Sequence, residues 1–480
     1  MAEIGISSYG AYIPMTRLAV GKTGERAVAG ADEDALTMAV AAGVDCLRGL
    51  DRNSIDAVYF ASTSYPYREK SGAALIARAL DLRRTVATAD FGASLRAGVS
   101  ALLAAVDAVK AGSLRSILVI ASDCRMGAPR SSIESQLGDA AAAFVVSDGA
   151  IATVEGVHTI AEEILDVWRS ESDSFVQTWE ERFVVDQGFR KNIVEVASGL
   201  REKMKSAPSD FDRVILYAPD GKSHQQAARA LKVPPEKLQD PLFGKVGNAG
   251  TAFVPLQIAA ALASIKSEQR ILALAYGDGA TAISLRATGA AQKSKSRGVA
   301  WHLEHKRPMD AGVYKRARHL EVEPPRPAGG ISATLHHRDR DEDISLKAQR
   351  CSKCQTLQFP AQRVCFKCHG LDQFESVRLS DRRGIVMSYT FDYFHPSAET
   401  PTIAGIVDID GARLYLMMAD AKPDQLRCDL PVEFTFRRIH ETGGKPNYFW
   451  KSTPVQSIGE VSGANRDASE AAVPPRMPVQ

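Results

Sequence analysis

The sequence predicts a layered α/β domain over residues 1–322, then a small metal-held lobe and a small β-barrel. Three observations carry this. Up to about residue 322, apolar strand-like runs alternate with Ala-rich helical stretches, the pattern of sheets covered by helices. One local order occurs twice: the apolar run 117–121 and, later, Gly138-Asp139 with the run 140–146, then, more compactly, 270–276, Gly277-Asp278-Gly279 and 280–285. Finally, four cysteines arrive as two C-x-x-C pairs, followed by several short β-rich segments. A chain of 480 residues is too long for one core, so two or three domains are expected.

Taken in order, residues 95–112 read as a helix carrying Ala and Gly on all sides, hence buried rather than amphipathic. The runs 117–121, 138–146 and 270–285 read as strands. Residues 323–346 contain Pro-Pro-Arg-Pro, Gly-Gly and the charged run His336 to Asp343, and are expected to be a solvated linker. Residues 347–374 hold the cysteine pairs, 375–455 the barrel, and 456–480, rich in Gly, Ser, Ala, Pro and charge, a disordered tail.

Composition excludes some functions. The chain is 45% hydrophobic and 24% charged with a net charge of +2, which gives no reason to expect nucleic acid or an anionic membrane. Its longest apolar stretches fall far short of a membrane span, and residues 1–4 lack a basic leader, so a cytoplasmic protein is expected. Seven cysteines, four of them paired as C-x-x-C and three scattered (Cys46, Cys124, Cys428), suit a reducing compartment and one metal site.

Cys351, Cys354, Cys365 and Cys368 place four soft ligands on two short turns, as tetrahedral zinc requires. With no histidine or carboxylate joining them, no position stays open for water. The zinc is therefore expected to be structural rather than catalytic.

Several stretches together resemble the bacterial and archaeal 3-hydroxy-3-methylglutaryl-CoA synthases of the thiolase superfamily. Leu216-Tyr217-Ala218-Pro219-Asp220-Gly221-Lys222 resembles their F-H-Q-P-N-G-K, with Tyr217 in the histidine position. Residues 8–14 resemble their opening strand and turn, 32–40 their first helix, 182–193 their R-F-x-x-x-x-x-Y-F-K-H-I region, and 301–314 their C-terminal segment. The resemblance covers about two thirds of the chain and implies a thiolase-like fold of two similar halves layered α-β-α-β-α, a CoA thioester as substrate, and a homodimer formed through this domain. The cysteine lobe and barrel, with Phe359-Pro360 between the knuckles and Gly411 at a strand turn, resemble the zinc-ribbon and OB-fold module of thiolase-like acyl-CoA enzymes. Arg437, Arg438 and Lys445 are too few to give that barrel a nucleic-acid groove.

Carried over residue by residue, the resemblance also shows what has changed. The family's acyl-accepting cysteine aligns with Leu95, or with Ser94 after a one-residue shift; its glutamate aligns with Thr63 and its histidine with Tyr217. What remains suits an enolate. Asn248, in Gly247-Asn248-Ala249-Gly250, matches an asparagine that polarises a thioester carbonyl, and Gly277 and Gly279 match a loop whose N–H groups lie near the reacting carbon. Asn248 and Tyr217 are then candidate donors to an oxyanion. Against these stand a turn asparagine and a core tyrosine. Asp278 is either a base or a turn aspartate, as its repeat Asp139 suggests; His224 is either the best remaining base by pKa or a satisfied histidine. Cys124 reads as a small buried hydrophobe.

Three functions follow: a lyase making aldol or retro-aldol changes to a β-hydroxyacyl-CoA without an acyl-cysteine, which the pattern of losses favours; an acyltransferase or synthase of the family's usual kind; and a non-catalytic acyl-CoA-binding partner of an active thiolase.

Overall fold

The structure, a computed structural model, describes residues 3–170, 173–178, 181–288, 294–320, 333–395, 397, 399–442 and 445–455. The expected tail at 456–480 and the Pro-rich start of the expected linker lie outside these residues.

Nine strands form one sheet in the order Arg213–Leu216, Arg270–Tyr276, Gly279–Ala287, Ala152–Ala161, Gly5–Tyr12, Ala140–Ser147, Ile117–Asp123, Ala57–Ala61 and Ala87–Phe91. Within the sheet the two halves are joined by the pairs Gly5 with Thr153 and Ile6 with Ala152. The repeat seen in the sequence is structural. Ile117–Asp123 runs antiparallel to Ala140–Ser147 in one half, as Arg270–Tyr276 does to Gly279–Ala287 in the other.

Helices Ala97–Lys110 and Phe253–Leu262 lie between the halves, while Ala35–Cys46 covers one outer face and Lys191–Met204 the other, which gives the five layers α-β-α-β-α. Gly98 makes the central approach possible, since a Cβ there would sit 2.5 Å from the Thr251 carbonyl oxygen. Helix Ala35–Cys46 begins as its sequence dictates: Asp34 accepts from the N–H of Leu36 and Thr37, and Thr37 Oγ1 accepts from the Asp34 N–H. No helix among the described residues is long and apolar enough to cross a membrane.

Strands Lys347–Cys351, Leu357–Gln358 and Phe374–Arg378 make the zinc-ribbon sheet. Because Phe374–Arg378 pairs with Lys347–Cys351, the ribbon runs a few residues past the expected boundary at 374. The OB-type barrel orders its strands Ala412–Met417, Thr402–Ile409, Gly384–Asp392, Pro431–Thr442 and Lys445–Pro454. Its ends nearly close through the Met418–Ser452 bridge and a 2.8 Å bond from Ala419 N–H to Ser452 O. The two-residue turn at Asp410-Gly411 has φ of 52° and 92°, the positive pair that a tight hairpin requires.

The far end of the expected linker is not a linker. Residues Ala333–Asp343 form a helix, and Ile344, Ser345 and Leu346 are buried, because this segment seals the joint between barrel and first domain. Trp450 Nε1 donates to Ile344 O at 3.0 Å, and one apolar cluster runs from Leu36, Phe60 and Ile76 through Leu346 to Val432, Phe436 and Trp450. At its edge Arg437, wholly buried, lies among the carboxylates of Asp420 (2.7 Å), Glu33 (3.4 Å) and Asp32 (3.9 Å). Tyr448 donates to Asp34 Oδ2 at 2.6 Å, so the barrel holds the very aspartate that caps helix Ala35–Cys46.

Candidate active site

A cleft of about 300 Å³ opens at the start of helix Ala97–Lys110. Its walls come from Ser62, Thr63, Tyr65, Ala93 to Leu95, Arg125, Asp166 to Arg169, Val176, Gly277 and Asp278. Among the described residues none from the ribbon or barrel lines it; that module braces the first domain from elsewhere.

The turn into the helix is strained. Ala93 sits at φ 63°, in the left-handed region that costs an L-residue roughly 1–2 kcal/mol. Ser94 and Arg96 hold this turn against the hairpin loop: Ser94 Oγ donates to Gly277 O at 3.2 Å, and Arg96 Nη2 donates to Asp278 O at 2.9 Å. The Ser94 hydroxyl therefore gives its proton to a backbone carbonyl. Gly279 is confined by the same packing, since a Cβ there would lie 2.2 Å from Ile160 O. Asp278, at φ 49°, is the turn residue of this hairpin and also borders the cleft.

Thr63 is immobilised. Asp123, fully buried, accepts from Ser62 Oγ, Thr63 N and Oγ1, Ser64 N and Oγ, and Thr251 N, all between 2.7 and 3.1 Å. A carboxylate so ligated stabilises the site's framework, and the Thr63 hydroxyl has no proton free for acid–base work.

Tyr217 and Asn248, both expected as oxyanion donors, bond to each other, and neither lines the cleft. Tyr217 packs edge-on against Phe253 and Phe189, and its hydroxyl accepts from Asn248 Nδ2 at 3.2 Å. Burial pushes the Tyr217 phenol up, with Arg125 and the Asn248 bond pulling it down, so at neutral pH it stays protonated. The other Asn248 amide hydrogen goes to Ala218 O at 3.2 Å; its oxygen accepts from Arg125 Nη2 and Gly250 N, each at 3.0 Å. His224 is elsewhere: it is buried on helix Gly221–Ala230, borders no part of the cleft, and burial pushes it down to about 4.

Two cleft residues were not visible from sequence. Asp166 is a buried carboxyl beside the Tyr276 ring; burial raises its pKa, while the Tyr276 hydroxyl and the Val167 N–H favour the charged form. Arg125 directly follows Asp123 and Cys124. Neither sits in a motif, and the only signal was a charge placed next to an apolar strand. Cys124 is half-buried, accepts from Arg318 Nη1, and burial pushes its thiol up to about 12. It does not reach the cleft.

In the ribbon, the sulfurs of Cys351, Cys354, Cys365 and Cys368 all lie within 4.8 Å of one another, with Cys351–Cys368 at 3.6 Å and Cys354–Cys365 at 3.5 Å. Four thiolates about 2.3 Å from one ion stand roughly 3.8 Å apart, so the set fits tetrahedral zinc. All seven cysteines are free of disulfides.

Comparison with known proteins agrees with this architecture. Residues 338–375 match the family described as "ChsH2, rubredoxin-like zinc ribbon domain", and residues 202–287 match "3-Oxoacyl-[acyl-carrier-protein (ACP)] synthase III C terminal". The hydroxymethylglutaryl-CoA synthase of Pyrococcus furiosus is 30% identical over 66% of this chain and 97% of its own length; that of Thermococcus gammatolerans is 31% identical over 66% and 96%. Among solved structures, MvaS in complex with 3-hydroxy-3-methylglutaryl coenzyme A superposes with a TM-score of 0.61 at 19% identity, over 69% of this chain and 96% of that one. An HMG-CoA synthase complexed with CoA gives 0.62 at 18%, over 67% and 92%. The identity sustained along almost the full length of these relatives shows that the chain belongs to the thiolase-like hydroxymethylglutaryl-CoA synthase family, extended by a zinc ribbon and an OB-type barrel.

Proposed function

We propose that the protein is a carbon–carbon lyase that cleaves a β-hydroxyacyl-CoA by a retro-aldol reaction, with no acyl-enzyme. The observation that carries this is a family cleft kept open at the helix start but holding no thiol: Ser94 and Leu95 stand there, Thr63 is bound to Asp123, and Cys124 lies off the cleft as a neutral thiol. A retro-aldol step needs a base and an anion-stabilising group, and no nucleophile. The base takes the β-hydroxyl proton; the oxygen becomes a carbonyl as the Cα–Cβ bond breaks; the bond pair enters the thioester as an enolate; a proton returns to Cα. The products are an aldehyde or ketone and a shortened acyl-CoA. Asp166, a cleft carboxyl whose pKa burial raises, suits the base, with Asp278 the other acid on the wall.

The relatives are synthases, and that favours one variation: the same chemistry run as an aldol condensation, which likewise needs no cysteine. We further propose that the ribbon holds one structural zinc and that the protein is a homodimer, since edge strand Ala87–Phe91 has an unpaired outer side among the described residues. The test of function is incubation with a panel of β-hydroxyacyl-CoA and acyl-CoA esters, with products identified by mass. Aldehyde or ketone plus a shortened acyl-CoA is expected; an acyl adduct on the protein overturns the lyase, and unchanged esters throughout favour a binding role.

A further inference from the structure

We infer that Arg125 receives the enolate oxygen in this cleft and has taken over the place that Asn248 holds in the family's resemblance; this rests on the proposed CoA-thioester function. Asn248 has nothing left to offer a substrate. Both its amide hydrogens are engaged, by Tyr217 Oη and Ala218 O, and both oxygen lone pairs, by Arg125 Nη2 and Gly250 N.

Arg125 is the opposite case. It is 5% exposed and lines the cleft, yet among the described residues only its Nη2 has a hydrogen-bond partner. Its Nε is buried with none. Among the described residues no carboxylate forms an ion pair with it, and Asp123, two residues away, has both oxygens filled by donors from residues 62–64 and 251. A buried guanidinium is always charged and costly to leave unpaired, so a cleft that keeps one is built for an anion. In a water-poor site it stabilises a developing oxyanion more strongly than a neutral amide does.

Tyr217 and Asn248 then form the row behind it. Tyr217 Oη fixes the Asn248 carboxamide, whose oxygen fixes Arg125 Nη2. They are positioning residues. Arg169, the other cleft guanidinium, is exposed and donates to Thr63 O, so it belongs to the rim.

The test uses two CoA thioethers that differ only in charge where the enolate oxygen would lie: S-carboxymethyl-CoA and its neutral amide, S-carbamoylmethyl-CoA. By calorimetry on the full chain, the carboxylate is expected to bind on the order of tenfold or more tighter than the amide. Arg125→Gln should abolish that preference while binding the amide within about threefold of the parent; Arg169→Gln should keep it. Arg125→Lys retains the charge without the planar fork and should keep only part of the preference, which guards against a Gln variant that does not fold. Equal binding of the two analogues by the parent, or the full preference surviving in either Arg125 variant, overturns the inference and leaves the CoA-thioester function standing. Failure of the parent to bind either analogue overturns both.

Discussion

His224 offers a prediction whose size follows from burial. Its imidazole is 2% exposed, with Nε2 buried and unpartnered, and burial pushes its pKa from the unfolded value of about 6.5 down to about 4. The sign follows from linkage. A base with a depressed folded pKa is protonated first in the unfolded chain, so its contribution is whole above pH 6.5 and is lost as pH falls toward 4. A gap of about 2.5 units at 1.36 kcal/mol each amounts to roughly 3 kcal/mol. His302, likewise pushed down to about 4, adds a similar loss over the same window. Glu33 and Asp166, whose carboxyls are raised first by burial, act the other way and favour the folded state as pH falls. The assay is the thermal midpoint of the full chain, followed by far-UV circular dichroism between pH 7.5 and 4.5. His224→Leu, which cannot titrate, should lose clearly less stability than the parent between pH 6.5 and 4.5 and keep activity near the parent's at pH 7.5. An unchanged acid profile refutes the argument from burial. A hundredfold loss of activity in a folded variant would instead make His224 the base.

Tyr217→Phe removes the oxygen that orients Asn248 and should lower kcat about tenfold or more with KM within about threefold, measured on the substrate found in the ester panel. Activity equal to the parent's makes Tyr217 a packing residue. Tyr217→His supplies the histidine that the family resemblance implies at this position but should yield no synthase activity, because Leu95 or Ser94 and Thr63 still occupy the other two positions. Ser94→Ala should retain most activity and show no acyl adduct by intact mass, since the Ser94 hydroxyl only donates to Gly277 O. Elemental analysis should find one zinc per chain, and Cys354→Ser should lose it and release the ribbon, including the 2.6 Å Lys347–Asp81 contact with the first domain. Metal near zero in protein purified without chelator would refute that assignment.

Local pattern was enough for the features that local physics makes. The doubled order of apolar run, Gly-Asp and apolar run announced two similar halves because alternate burial and tight turns leave their mark on adjacent residues. The paired C-x-x-C turns announced the ribbon in the same way, since two knuckles nearly suffice to build a tetrahedral site. Motif order singled out Tyr217, Asn248 and Gly277 as candidates, and in the structure the Tyr217 hydroxyl accepts from Asn248. What they do there was decided only by the fold. The cleft gathers residues 62, 63, 65, 93–95, 125, 166–169 and 277–278, which lie far apart in sequence, and Arg125 and Asp166 carry no motif to single them out. His224 has a suitable unperturbed pKa yet lies buried off the cleft, and segment 344–346, next to a charged run, became part of the core because the barrel docks there. A residue's type reveals which bonds it is able to make; whether Asn248 has one left, or Arg125 lacks one, depends on partners that only tertiary packing supplies.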